Sequence, residues 1–277
     1  MLKQRIITAL LLLAVFLPAL FHPDARWLGL AGLFLVAAGA WEWGRLNNMG
    51  TVSALLMPVI CLMLCAAAWF SGAAALMPNA LWLLGGVFWI SLLFYFLKHG
   101  VDSWRILPAL IRNLIGIGVL TMTWLALYQA KNTGTSFLTS VLVLVWVADI
   151  SAYFVGKQWG RHKLAPAISP GKSREGLIGG MLGVLVLSFA WLALQTPFPA
   201  LSDSLFARLN AHGVFFMIAG VISLTLISAA GDLFESLLKR SAGVKDSSRL
   251  LPGHGGVLDR LDALLPTLPL AMMLYLM

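Results

Sequence analysis

The sequence predicts an all-α, polytopic integral membrane protein with about nine transmembrane helices and a cytoplasmic N-terminus. Hydrophobic residues make up 60% of the 277 residues and charged residues only 11%, a balance that soluble domains do not have. The mean hydropathy of +0.90 agrees with this. The long apolar runs lack strict alternation of apolar and polar residues, so helices are expected rather than a β-barrel.

Nine apolar segments account for the predicted spans, and most approach the roughly 20 residues that cross a bilayer as a helix. They lie at 6–20, 27–43, 52–70, 81–97, 110–128, 137–155, 177–194, 214–231 and 262–277. We divide the chain into N-terminal membrane helices, 1–136, and a C-terminal catalytic membrane region, 137–277. The second region carries two loops that we expect in the cytoplasm, 156–176 and 231–262.

The basic residues determine the predicted orientation. With the N-terminus inside, sixteen of the 19 Lys and Arg residues fall in inner loops and three in outer loops, which is the asymmetry of the positive-inside rule. The net charge of +8 therefore suits anionic lipid headgroups. It does not indicate nucleic-acid binding, because the basic residues lie in short loops between spans.

The stretch at 231–262 is the most unusual part of the chain. Between two apolar segments it contains five carboxylates, five Lys or Arg residues, one His and five glycines. Charge in this position is costly for a membrane protein and usually marks function. The alternative is that the Lys and Arg residues are only an orientation signal and the acids only helix caps.

Spacing within this stretch suggests metal-assisted phosphoryl or nucleotidyl transfer. Asp259 and Asp262 are three residues apart and Asp232 and Ser236 four apart, so each pair can share a helix face. Clustered oxygen ligands suit Mg²⁺, which binds one or two carboxylates together with substrate phosphates. The glycines at 252–256 let backbone N–H groups approach a phosphate. Fixed positive charge for a polyphosphate comes from Lys239, Arg240, Lys245, Arg249 and Arg260.

Four acids are predicted to meet at one depth. Asp149 lies near the inner end of the sixth span, Asp232 near the inner end of the eighth, and Asp259 and Asp262 at the start of the ninth. We expect these four to form a metal site for Mg²⁺, and a second cation stays open. The competing interpretation is that the acids pair with basic residues for packing alone. Glu42, near another inner helix end, is either functional or the ion-pair partner of Arg45, and we favour the ion pair.

The loop at 156–176 is also basic and rich in Gly and Pro. Its turn Ser169-Pro-Gly-Lys172-Ser173 leads into a helix, and it offers backbone N–H groups, hydroxyls and a lysine to a phosphate. It is not a P-loop, because the upstream glycine spacing is wrong and no strand precedes it. The glycines Gly176 and Gly180 that follow are expected to allow close helix packing.

The residues from 236 to 262 resemble a known signature. They read Ser236-x-Leu238-Lys239-Arg240-x4-Lys245-Asp246-x-Ser248-x2-Leu251-Pro252-x-His254-Gly255-Gly256-Val257-x-Asp259-Arg260-Leu261-Asp262. This unbroken pattern of 27 residues is similar to that of the phosphatidate cytidylyltransferases, or CDP-diacylglycerol synthases. The loop around Ser169 resembles the second block of that family, whose usual form is Ser-Pro-x-Lys-Thr. Ser173 stands here in place of that Thr, and Arg174 in place of a commoner Trp.

The resemblance implies that CTP and phosphatidate give CDP-diacylglycerol and diphosphate in phospholipid biosynthesis, with Mg²⁺ as cofactor. It implies an enzyme of the inner membrane whose active site faces the cytoplasm; a homodimer stays open. The catalytic residues would be Asp232, Lys239, Arg240, Asp259 and Asp262. The substrate-binding residues would be Ser169, Lys172, Ser173, Ser236, Lys245, Asp246, His254, Gly255, Gly256 and Arg260.

Two other functions compete with this one. A cation-coupled transporter also needs acids within spans, but it predicts polar residues that continue to the outer face. The outer halves of the sixth and eighth spans are mostly apolar. A different lipid headgroup transferase would share the acids and the metal, and only the signature argues against it.

Overall fold

The computed structural model describes residues 2–276, except for the side chains of Leu2, Lys3 and Arg5. Two of the basic residues counted for orientation, Lys3 and Arg5, and the end of the ninth predicted span, Met277, therefore lie outside the described part. The α-helices are α1 (Leu2–Phe21), α2 (Arg26–Leu46), α3 (Leu56–Phe70), α4 (Asn79–His99), α5 (Val101–Ile106), α6 (Ala109–Thr133), α7 (Thr135–Trp159), α8 (Arg174–Leu194), α9 (Leu205–Ala211), α10 (Val214–Ser241), α11 (Leu258–Leu261) and α12 (Leu264–Tyr275).

The predicted class, a helical multi-pass membrane protein, is confirmed at that level. Seven helices in the described part of the chain are long and apolar enough to cross a membrane. The apolar part of α1, Ile6–Phe21, is shorter, and α12 has 12 residues. At about 1.5 Å per residue α12 spans roughly 18 Å, less than the ~30 Å of a hydrocarbon core. The count of nine spans and the orientation of the N-terminus stay predictions.

One small β-hairpin interrupts the helices in the loop at 156–176. Strand β1 (Lys163–Ala165) pairs antiparallel with β2 (Ser169–Ser173), and Lys163 lies opposite Ser173. Strand β2 leads directly into α8, where the Ser173 hydroxyl caps the helix by accepting a hydrogen bond from the Gly176 N–H at 3.1 Å. The all-α prediction did not include this hairpin, which leads the loop directly into the start of α8.

Glycines bring α7 and α8 close together, as their spacing predicts. A Cβ on Gly176 would lie 2.8 Å from the Ala152 carbonyl oxygen, and a Cβ on Gly180 would lie 3.0 Å from that of Ala148. Contacts this short leave no room for a side chain, so the two backbones pack directly against each other. This close pair of helices forms one wall of the cavity described below.

The long helix α10 lies at the centre of the bundle. It packs against α4, α5, α7, α8, α9 and α12. Near its C-terminal end Phe234 lies among four aromatic rings from α2, α4 and α5, at centroid distances of 5.5–6.3 Å. These rings belong to Trp43, Trp89, Phe96 and Trp104. The aromatic cluster fixes the last turns of α10, which carry most of its charged residues.

Helix α12 lies inside the bundle, with Leu265–Met272 buried. It packs against α4, α6, α7 and α10, so helices of both predicted regions share one hydrophobic core. A helix that is apolar all round is expected to be enclosed in this way. The functional division at 136/137 stays a prediction.

Candidate functional site

A polar stripe runs along the C-terminal half of α10. Asp232, Glu235, Ser236 and Lys239 are spaced by three and four residues, so they lie on one side of the helix. The turn of α11 and the residue after it face this stripe, because both Asp259 and Asp262 lie close enough to Glu235 for their charges to act on it. Asp259 and Asp262 were predicted to share one helix face, and that face is directed toward α10.

Close approach of the two elements depends on Gly231. A Cβ at this position would lie 2.6 Å from the Asp262 carbonyl oxygen and 2.7 Å from Cγ of Pro266. Neither a backbone carbonyl nor a proline ring can move away easily. Gly231 is therefore the residue that lets the start of α12 reach the polar stripe.

At the far end of the stripe, Lys239 lies between two carboxylates. Its ammonium pairs with Glu235 and with Asp259, whose Oδ1 is 2.6 Å away. The side chains of all three are at most 12% exposed, so the cluster is shielded from solvent. Neither carboxylate oxygen of Glu235 accepts a hydrogen bond of ordinary geometry within residues 2–276.

The second oxygen of Asp259 holds the segment that joins α10 to α11, residues 242–258, which we call the signature loop. Its Oδ2 accepts hydrogen bonds from the Ser247 N–H at 3.0 Å, the Ser247 hydroxyl at 2.9 Å and the Gly256 N–H at 2.8 Å. Burial raises the pKa of Asp259, but the hydrogen bonds from Lys239 and Gly256 outweigh it and leave the pKa below its ordinary value. Asp259 is therefore held as a carboxylate with both oxygens engaged.

At the near end of the stripe, Asp232 pairs with Lys172 of the hairpin. The ammonium lies 2.7 Å from Oδ2 of Asp232 and donates to the Ala229 carbonyl oxygen at 3.2 Å. Asp262 lies close enough to Asp232, Lys172 and Asp149 for the charges of all three to act on it. Three of the four predicted metal-binding acids, together with Lys172, thus form one group, while Asp259 belongs to the group around Lys239.

A cavity of about 690 Å³ opens beside the first group. Asp149 and Asp232 line it, and so do Ser169, Lys172 and Ser173 of the hairpin. The lining also includes glycine and alanine residues of α7 and α8, together with Tyr153 and Lys157 of α7. The cavity thus combines carboxylates, ammonium groups and apolar surface at the ends of membrane-length helices.

The signature loop itself forms a compact turn. The Leu251 N–H donates to the Gly255 carbonyl oxygen at 2.9 Å, and Gly253 and Gly255 have φ values of +77° and +85°. Arg260 closes the turn by donating to the His254 carbonyl oxygen at 2.6 Å. Positive φ favours glycine at both positions, which explains why this part of the signature is glycine-rich.

Other predicted residues have different surroundings from the cavity group. Arg240 donates to the Ile168 carbonyl oxygen at 3.3 Å and the Val244 carbonyl oxygen at 3.1 Å, so its guanidinium ties α10 to the hairpin and to the loop. Lys245 and Asp246 are exposed. The Ser236 hydroxyl is 3.4 Å from Oδ1 of Asp232, to which it donates.

A compact site of three or more His, Cys, Asp or Glu ligands is not present among residues 2–276. The acids around Asp232 are near one another, but Lys172 lies against the carboxylate that would be central to a shared ion. The charge arrangement nevertheless fits a cation. If all are ionised, Asp149, Asp232 and Asp262 carry three negative charges against the one positive charge of Lys172.

Sequence reasoning missed the role of two acids. Glu235 lies three residues after Asp232 and four before Lys239, so helical spacing alone could have placed it in the stripe. The assignment of Glu42 to an ion pair with Arg45 is wrong: Arg45 donates to the Thr51 hydroxyl at 3.3 Å, while Glu42 binds the signature loop. No local sequence signal connects residues more than 200 positions apart.

Comparison with known proteins gives a consistent result. A family model described as "Cytidylyltransferase family" matches residues 3–277. The chain is 37% identical over 278 residues to a phosphatidate cytidylyltransferase of Pseudomonas aeruginosa, covering 97% of this chain and 95% of that protein. It is 36% identical over 287 residues to one of Haemophilus influenzae, covering 97% and 96%. A Staphylococcus aureus phosphatidate cytidylyltransferase is 37% identical over 157 residues, or 57% of this chain.

Proposed function

The chain belongs to the cytidylyltransferase family, and we propose that it condenses CTP with phosphatidate to form CDP-diacylglycerol and diphosphate. A phosphate oxygen of phosphatidate forms a bond to the α-phosphorus of CTP. The bond from that phosphorus to the oxygen that bridges to the β-phosphate breaks, and diphosphate leaves with the electron pair. The product is an activated lipid for phospholipid biosynthesis.

The cavity beside Asp232 is the observation that carries this proposal. Its lining combines the carboxylates of Asp149 and Asp232 and the ammonium groups of Lys157 and Lys172 with small and apolar residues of α7 and α8. A phospholipid substrate needs both, since its phosphate is anionic and its acyl chains are apolar. The nucleophile is already an anionic phosphate, so charge neutralisation and positioning matter more than a strong base.

We propose that Asp149, Asp232 and Asp262 hold Mg²⁺, with a second cation left open. Carboxylates crowded in a low dielectric repel one another, so they favour the binding of a proton or a cation. With all three acids ionised, a divalent ion would balance the two negative charges that Lys172 leaves in this group, and hard oxygen ligands suit Mg²⁺. When bound, the ion would neutralise charge on the triphosphate and on the leaving diphosphate.

Asp259 is the fourth proposed ligand, with a different starting arrangement. Both of its oxygens are engaged, Oδ1 by Lys239 and Oδ2 by the signature loop. Ligation by Asp259 would require Lys239 to move toward the triphosphate. We therefore propose that Lys239 and Asp259 act as a pair that orders the loop before substrate binds.

The lysines have the clearest tasks in substrate binding. Lys172 lies on the cavity wall, where its ammonium would bind a phosphate of the substrate on leaving Asp232. Arg240 acts by holding the hairpin against α10, and the Ser173 hydroxyl by capping α8, where the helix N-terminus favours an anion. The other proposed contacts to CTP or lipid are made by Ser169, Ser236, Lys245, Asp246, His254, Gly255, Gly256 and Arg260.

We place the protein in the inner membrane, where the bacterial relatives suggest it belongs, with the cavity facing the cytoplasm. The excess of basic residues in the predicted inner loops supports this orientation. CTP would then arrive from the cytoplasm and phosphatidate from the inner leaflet. A homodimer is compatible with this arrangement and is not required by it.

The test is a reaction with purified protein, Mg²⁺, phosphatidate and each of the four ribonucleoside triphosphates in turn. We expect a nucleotidyl lipid with CTP and diphosphate release in equal amount. Asp262→Asn should lower turnover by roughly 10²-fold or more, the scale of one well-placed electrostatic group. The exposed Asp203, replaced by Asn, is the matched control. Product with another nucleotide, or a lipid other than phosphatidate as the preferred acceptor, would contradict the proposal.

A further inference from the structure

Glu42, in the last turns of α2, is a buried carboxylate in the N-terminal half of the chain. Its exposure is 0%. Within the described residues no Lys, Arg or His lies within 4.0 Å of it, so it has no ion-pair partner there. A buried charge without a counter-ion is costly unless several hydrogen bonds stabilise it.

All the hydrogen bonds recorded for this carboxylate come from the signature loop. Its Oε1 accepts from the Ser248 hydroxyl at 2.5 Å and the Val257 N–H at 2.9 Å. Its Oε2 accepts from the Leu258 N–H at 2.7 Å, and it shares the single proton of the Ser247 hydroxyl, 3.1 Å away, with Oδ2 of Asp259. The donors lie on both sides of the glycine turn, so one carboxylate joins the two ends of that turn.

Ser247 connects Glu42 to the polar stripe. Its hydroxyl lies 3.1 Å from Glu42 and 2.9 Å from Oδ2 of Asp259, and Oδ1 of Asp259 binds Lys239. Gly256 leaves the space for this arrangement, since a Cβ there would lie 2.0 Å from the Ser247 hydroxyl oxygen and 2.5 Å from Glu42. The contacts form a continuous path from α2 to α10.

We infer that Glu42 is a positioning residue of the active site, which fixes the closed shape of the signature loop and thereby the placement of Asp259 and Lys239. Glu42 does not line the cavity, so it acts through the loop and not on the substrate. An apolar residue would join α2 to α11 at lower electrostatic cost. A carboxylate is needed because the N–H groups of Val257 and Leu258 and the Ser248 hydroxyl all donate to it, and these buried N–H groups require an acceptor. The inference depends on the proposed function only for the effect that Glu42 is expected to have on turnover.

Glu42→Gln is the informative change, because the amide keeps the size of the side chain but turns one acceptor into a donor. Opposed N–H groups should then loosen the loop. The milder Ser248→Ala removes one donor and leaves the carboxylate in place. Lys131→Met serves as the matched control, since Lys131 is also buried and charged but binds the Leu20 carbonyl oxygen. Lys131 is also far from Glu42. Trp43, the residue next to Glu42, donates to the carbonyl oxygen of Arg112, and Lys131 lies 19 residues further along α6, a distance of about 28 Å.

Two measurements separate positioning from general stability. Lys245 and Arg249 are exposed in the loop, so trypsin cleavage after them reports its order. We expect Glu42→Gln to accelerate this cleavage and to lower kcat/KM roughly 10²-fold, as a misplaced catalytic group does. Its melting temperature should fall no further than that of Lys131→Met, which should keep wild-type cleavage. Adding Ser248→Ala to the Glu42→Gln protein should lower kcat/KM by a smaller factor than Ser248→Ala lowers it in the wild type, because both changes act on one contact.

Wild-type cleavage and turnover in Glu42→Gln would overturn the inference. It would also be overturned if Lys131→Met changed trypsin cleavage and kcat/KM as much as Glu42→Gln does. Additive effects of Glu42→Gln and Ser248→Ala on kcat/KM would overturn it as well. Should Glu42→Gln fail to fold, Ser248→Ala decides by the same two measurements. If the wild-type protein makes no nucleotidyl lipid, the proposed function fails, whereas the trypsin result still tests whether Glu42 orders the loop.

Discussion

Lys172→Met tests whether the ammonium and a metal ion compete for the acid group. The change removes the positive charge 2.7 Å from Asp232 and keeps an unbranched side chain of similar length. At an effective dielectric of about 20 the bare attraction is about 6 kcal/mol. The two side chains are 24% and 31% exposed, so screening and desolvation reduce this. A hydrogen bond between charged groups contributes about 1.5–3 kcal/mol, and we take the lower end, which corresponds to about tenfold.

We therefore expect Lys172→Met to bind a divalent ion about tenfold more tightly than the wild type, while its turnover falls. The assay is a titration with Mn²⁺ without nucleotide, followed by electron paramagnetic resonance, together with turnover as a function of Mg²⁺. Lys157→Met is the control, because Lys157 lines the same cavity but contacts the Tyr153 ring. Unchanged or weaker metal binding in Lys172→Met would show that the acids do not exchange this ammonium for a metal.

Three further outcomes are expected. Gly231→Ala should lower the melting temperature and the activity, because its Cβ would lie 2.6 Å from a backbone oxygen. Overpacking of this kind costs about 1–3 kcal/mol or more. Gly118→Ala is the control: it has open space around it and should change neither the melting temperature nor the activity. Asp259→Asn should lower turnover by roughly 10²-fold and speed trypsin cleavage of the signature loop. Wild-type turnover together with a wild-type cleavage rate would show that Asp259 is dispensable. A tag in the loop at 198–212 should be accessible from outside the cell and one at 157–175 should not; the opposite labelling would reverse the orientation.

The relative placement of several site residues was predictable from the sequence. Helical spacing placed Asp232 and Ser236 on one side of a helix and Asp259 and Asp262 on one side of another, and both of the latter acids face α10. Such predictions succeed because the period of an α-helix depends only on backbone geometry. The membrane class followed for a similar reason, since apolar length and composition alone decide whether a segment suits lipid.

The grouping of the acids was decided by tertiary contacts. The sequence put four carboxylates at one depth, whereas the fold divides them between Lys172 and Lys239. This division depends on the hairpin, which carries Lys172 to α10, and on Gly231, which admits the start of α12. Neither contact leaves a trace in local spacing.

The sequence by itself thus determined a helical membrane protein with an acidic and basic site on its last long helix, because periodicity and hydropathy are local properties. Only the tertiary structure decided which charges meet. Glu42 illustrates the physical reason: its four hydrogen bonds come from residues more than 200 positions away, and a buried carboxylate is stable only where distant segments supply such donors. From the sequence alone Arg45, three residues away, was the expected partner.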